Sequence, residues 1–131
     1  MIALALPGWM IVALWLTTAL NLVGAFAFAP LSGLGPASAG LPAEIHDVFR
    51  WSLAEFIGLF GLGYGWCAWQ RRAPRMFIAL GAAGKLAFFA TLAVYWARGE
   101  LPFAAVASGS PDLWFGLAFC IWLFQSRGAE R

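Results

Sequence analysis

Residues 9–29 contain no charged side chain, and about 20 apolar residues rising 1.5 Å each cross a hydrocarbon core of roughly 30 Å. Such a segment must satisfy its own backbone N–H and C=O groups, so in lipid it is either a helix or a strand of a closed barrel. The run lacks the apolar/polar alternation of a barrel strand and is about twice a strand's length, so it reads as a transmembrane helix. A secretory signal peptide is the competing reading, since Ala25, Ala27 and Ala29 offer small-x-small cleavage sites. The absence of a Lys/Arg n-region before the run, and its length, favour the span.

Three further apolar runs follow at about residues 51–69, 76–97 and 111–124, the last short unless Ala104 to Ala107 extend it. With 63% hydrophobic and 11% charged residues, against about 45–50% and 25% in soluble domains, a soluble globular protein is excluded. The expected fold is an all-α integral membrane protein, a four-transmembrane-helix bundle forming one domain over residues 1–131. Net charge is only +2, and the basic residues cluster no further than Arg71, Arg72 and Arg75, which leaves no nucleic-acid footprint.

Aromatic residues near the span ends, among them Trp9, Trp51, Trp69, Trp96 and Trp114, suit anchoring at the headgroups. Arg71, Arg72, Arg75, Arg127 and Arg131 fall on one side of the spans, and Arg50 and Arg98 on the other. By the positive-inside rule both termini are expected in the cytoplasm of a bacterial inner membrane. The loop over residues 30–42, rich in Pro, Gly and Ser, is then external and irregular. Pro42, with Glu44 close behind, resembles a helix start, so the second helix is expected to begin outside the membrane.

The informative residues are polar ones placed at depth. Lys85 sits near the centre of the third span, where an ionised side chain costs roughly 2.5–3.5 kcal/mol on insertion scales, so it must face the bundle and find a partner. Glu55, about one turn inside the second span, is the expected counter-ion, reached by snorkelling, with Asn21 on the first span at a similar depth. Glu55, Lys85 and Asn21 therefore form the expected intramembrane polar set. It reads equally as an outward-opening ligand pocket or as a purely structural pair that fixes helix register.

His46, Arg50, Asp112 and Tyr95 are secondary candidates near the outer ends. Ser110-Pro111-Asp112 reads mainly as a helix cap, and His46 as a solvated histidine without enough partners for a metal site. No metal and no cofactor are expected, because a lone histidine cannot supply bis-histidine haem ligation within one protomer. Cys67 and Cys120 form no Cys-x-x-Cys motif and read as small packing residues. Gly61-x-x-x-Gly65 and Ala79-x-x-x-Ala83-x-x-x-Ala87 read as close-packing faces, for the bundle itself or for a partner helix.

Four short spans, with Gly81-Ala-Ala-Gly84-Lys85 in the third, Trp96-Ala-Arg-Gly99 at its end and Asp112-Leu opening the fourth, resemble the DoxX-like small membrane proteins of bacteria. The resemblance covers nearly the whole chain and implies an accessory role beside a membrane complex, with no particular reaction. A fainter similarity, in acids placed between membrane helices, is to the emopamil-binding group of sterol isomerases. There Glu55 and Asp112 could take that part, but the expected acidic cluster with an intramembrane histidine is not matched.

The expected function is that of an accessory subunit of a membrane complex, or of a binder of an apolar small molecule in an outer-half polar pocket. The expected partners are the lipid bilayer, a membrane-protein complex or a second copy of the chain. The reading leans away from an enzyme. Two alternatives stay open: a membrane enzyme acting on a lipid or an isoprenoid- or sterol-like substrate through Glu55 and Lys85, and a small ion-coupled transporter working as an oligomer.

Overall fold

The computed structural model describes residues 2–128; Arg131, counted in the charge asymmetry above, lies outside them. Four long helices follow a short N-terminal strand: β1 (Ala3–Ala5), α1 (Gly8–Phe28), α2 (Asp47–Gln70), β2 (Arg72–Pro74), α3 (Arg75–Ala97) and α4 (Phe103–Gln125). A 3-10 turn, Pro36–Ala39, lies in the connection between α1 and α2. The fold is thus an all-α bundle with a two-stranded appendix. Of its four helices α1, α3 and α4 are long and apolar enough to cross a membrane, which makes the chain a multi-pass membrane protein.

The bundle is two antiparallel hairpins, each closed on small residues. In the first, a Cβ on Gly61 would fall 2.8 Å from Asn21 Cβ, and one on Gly65 would fall 3.2 Å from Thr18 Cγ2. So close an approach of α1 and α2 needs glycine at position 61, and a side chain at position 65 would have to push Thr18 aside. In the second, a Cβ on Gly116 would meet the Leu86 side chain at 2.8 Å, and one on Gly109 would strike Leu92. Gly61-x-x-x-Gly65 is therefore an internal packing face, whereas Ala79, Ala83 and Ala87 are exposed on the outside of α3.

The hairpins meet mainly through α1 and α4, while α2 and α3, though joined by a tight turn, diverge along their length. At the turn end they are held by a core of Leu4, Met10, Leu14, Tyr64, Ile78, Phe119 and Trp122. Strand β1 pairs antiparallel with β2, with Leu4 opposite Ala73, and Leu6 N–H donates to Arg71 O at 3.0 Å. Arg71 itself takes the left-handed conformation (φ 56°) that ends α2. The N-terminal segment thus straps the α2–α3 turn.

Two boundaries differ from the sequence expectation. The second helix begins at Asp47, not near Pro42, because His46 Nδ1 accepts a bond from Val48 N–H at 3.2 Å and caps it. The fourth begins at Phe103 and runs through Pro111. Pro111 has no N–H for the carbonyl four residues back, and that carbonyl, on Ala107, is instead taken by Ser110 Oγ at 2.8 Å. The Ser-Pro-Asp sequence is therefore a tolerated interruption inside a helix and not its cap.

At the other end, Arg50 donates from Nε to Phe28 O at 3.1 Å and from Nη2 to Ala29 O at 3.3 Å. A guanidinium is well suited to these last carbonyls of α1, which have no intrahelical donors and carry the negative end of the helix dipole. Gly61→Val should overpack the α1–α2 contact and lower stability by about 1–3 kcal/mol. Gly84→Ala, whose added Cβ meets nothing within 4 Å, should be neutral or slightly stabilising; detergent-phase thermal unfolding of both variants checks the contrast.

Candidate ligand-binding site

Beyond the core, toward the Arg50 end, the divergence of α2 and α3 leaves a cavity of about 520 Å³, within the range of small-molecule sites, roughly 300–1,000 Å³. Phe56, Ile57 and Phe60 of α2 form one wall, Leu80, Gly84 and Phe88 of α3 the opposite one, and α1 and α4 the back. Ala39, Leu41 and Ile45 of the α1–α2 connection roof it. That roof is held down by Ser108 Oγ, which is 2.9 Å from Ala39 O and 2.8 Å from Ala105 O. Gly40 lies directly against the α4 backbone: a Cβ there would come 2.8 Å from Ala105 N.

The floor is polar. Lys85 Nζ, in a side chain only 7% exposed, lies 2.6 Å from Asp112 Oδ1 and 3.2 Å from Asn21 Oδ1. Asn21 in turn donates from Nδ2 to Ile57 O at 3.0 Å. The amide is thus oriented by α2 so that its oxygen faces the ammonium. Tyr64 presents its ring to Nζ at 5.8 Å from the centroid, within cation–π range, and packs against Phe77 and Phe119. Three helices therefore supply Asn21, Lys85 and Asp112, and the fourth supplies Tyr64.

The structure brings Lys85 and Asn21 together as the sequence suggests, but the counter-ion is Asp112 and not Glu55. Leu53, Phe56, Ile57, Phe60 and Tyr64 are spaced as one helical face, and that face lines the cavity. Glu55 stands two residues from Ile57, about 200° around the helix, and is exposed. Asp112 is reachable because α4 starts at Phe103, which places Asp112 in mid-helix opposite Lys85 on the antiparallel neighbour.

Of the secondary candidates, Arg50 holds the end of α1, His46 caps α2 and Tyr95 stacks under Arg98, 5.3 Å from ring centroid to guanidinium. None of the three lines the cavity. No group of three or more His, Cys, Asp or Glu that could hold a metal occurs among the described residues. Tyr64 and Ser108 carry no motif that marks them in the sequence, although Tyr64 continues the apolar stripe through Leu53, Phe56 and Phe60, and Ser108 precedes Asp112 by one helical turn. No family model matches the chain, and no curated protein or solved structure is detectably similar to it.

Removing one member of a buried ion pair leaves the other charged and unpaired, typically costing about 3–5 kcal/mol. Asp112 is 22% exposed and Lys85 only 7%, so Lys85→Met, which leaves the more exposed carboxylate, should cost about 2–3 kcal/mol and Asp112→Leu, which strands the buried ammonium, about 3–5 kcal/mol. The double variant should recover most of either loss, and Glu55→Gln should change stability by less than about 0.5 kcal/mol. A double-mutant cycle read by detergent-phase unfolding tests these expectations together.

Proposed function

We propose that the protein crosses the bacterial inner membrane four times and holds an apolar small molecule in this cavity, with the polar end of that molecule against Lys85, Asp112 and Asn21. The carrying observation is the cavity itself: apolar walls, a buried charge-paired floor and a side opening where α2 and α3 diverge. A few convergent polar groups in an otherwise apolar pocket are the usual make-up of a small-molecule site. Ionisable residues inside a membrane bundle are functional by default.

Helix α2 carries Asp47, Arg50 and Glu55 toward its start and is the least apolar of the four. It nevertheless packs antiparallel along α1, from Arg50 against Phe28 to Gly65 against Thr18 and Trp15, so in this reading it crosses wherever α1 does. The Arg-rich α2–α3 turn and the C-terminal end then face the cytoplasm, and the cavity opens toward the outer leaflet. Glu55 stands away from both cavity and Lys85, so catalysis or ion coupling through a Glu55–Lys85 pair is not proposed. A second reading, the accessory subunit implied by the DoxX-like resemblance, is favoured by the exposed Ala79, Ala83 and Ala87 on α3, a surface on which another membrane helix could pack closely.

Native mass spectrometry of the gently extracted protein should show a stoichiometric small-molecule adduct that is lost in Gly84→Leu, where the larger side chain projects at the cavity mouth. A folded Gly84→Leu protein that keeps the adduct would place the molecule elsewhere. Co-purifying polypeptides would support the accessory role.

A further inference from the structure

The hydrogen-bonding capacity left over on the cavity floor names a ligand class. An ammonium has three donors; Lys85 Nζ gives two to Asp112 Oδ1 and Asn21 Oδ1, leaving one. The Tyr64 hydroxyl makes no hydrogen bond among the described residues, although the residue is only 1% exposed. It lines the cavity against Gly81, whose missing side chain makes room for it. Asp112 also lines the cavity, and Oδ2 accepts no bond among the described residues. The floor therefore offers spare donors on Lys85, on Tyr64 and on the second Asn21 amide N–H, and spare acceptor capacity on Asp112 Oδ2 and the Tyr64 oxygen.

The charges on the floor already cancel. A carboxylate or phosphate head would add a net negative charge beside Asp112, and an amine would add a positive one beside Lys85, each in a low-dielectric site that penalises unpaired charge. A neutral head avoids both penalties. A carbonyl or ether could take the spare donors but would leave Asp112 Oδ2 unanswered. A hydroxyl accepts from Lys85 or Tyr64 and donates to Asp112, using both kinds of spare capacity.

Resting on the binding role above, we propose that the cavity takes an uncharged lipid alcohol. Its hydroxyl lies among Lys85, Asp112 and Tyr64, and its hydrocarbon runs between Phe56, Phe60 and Phe88 toward the opening between α2 and α3.

Tritiated hexadecanol binding to the detergent-solubilised full-length protein, competed with hexadecyl methyl ether, hexadecanoate and hexadecylamine, tests this. The unlabelled alcohol should compete at least about fivefold better than each of the others, the effect expected of one net hydrogen bond or one avoided charge. Tyr64→Phe, which removes only the hydroxyl, should weaken hexadecanol by about fivefold, and Gly84→Leu should abolish binding. An ether that competes equally, or an acid or amine that competes better, overturns the alcohol assignment while leaving the cavity a ligand site. Absence of binding by every member of the series overturns both.

Discussion

A lysine charge in the middle of an apolar bundle has to be matched where it stands, and the Lys85–Asp112 contact decides how the four helices are arranged around it. At 2.6 Å the pair fixes the register of α3 against α4 at mid-helix. Through Asn21 it reaches α1, and through Asn21 Nδ2 it reaches the backbone of α2 at Ile57. Van der Waals packing alone tells one apolar helix face poorly from another, because lipid tails are as apolar as the helices. A directional polar chain that runs through all four helices supplies that discrimination.

On one side of the chain the bundle is solid and on the other it is open. Toward the α2–α3 turn, Met10, Leu14, Ile78, Phe119 and Trp122 fill the interior, and the N-terminal strand ties the turn down. Toward the opposite end, α2 and α3 are no longer held together, and the interior is the cavity under the α1–α2 connection. The same ion pair is thus the upper edge of a packed core and the floor of the cavity. Closing one end firmly is what allows the other end to stay open without the helices collapsing together.

The helical and membrane character was legible because it rests on long charge-free runs, which few other folds tolerate. The close-packing face of α2 was legible too, since Gly61 and Gly65 share one face, but the pattern did not say that α1 would cover it. The partner of Lys85 was not, for a traceable reason: starting the last helix at Pro111 made Asp112 a terminal residue. The actual start at Phe103 depends on Ser110 Oγ taking the carbonyl that Pro111 leaves free, a repair that one side chain makes locally. Glu55 had the right depth but the wrong angle, and the stripe from Leu53 to Tyr64 carried that information. The β1–β2 pairing left no trace in pattern, because Ala3-Leu4-Ala5 has no alternation to read.

That small sheet also sets a direction. Strand β1 lies before α1 in the chain and its mate, Arg72–Pro74, directly after α2, so the pairing brings together the two open ends of the first hairpin. That latch on the α1–α2 hairpin needs nothing from α3 or α4. A first helix running the other way would carry its strand to the opposite end of the hairpin from its mate, so the pairing is compatible with one direction of α1 only.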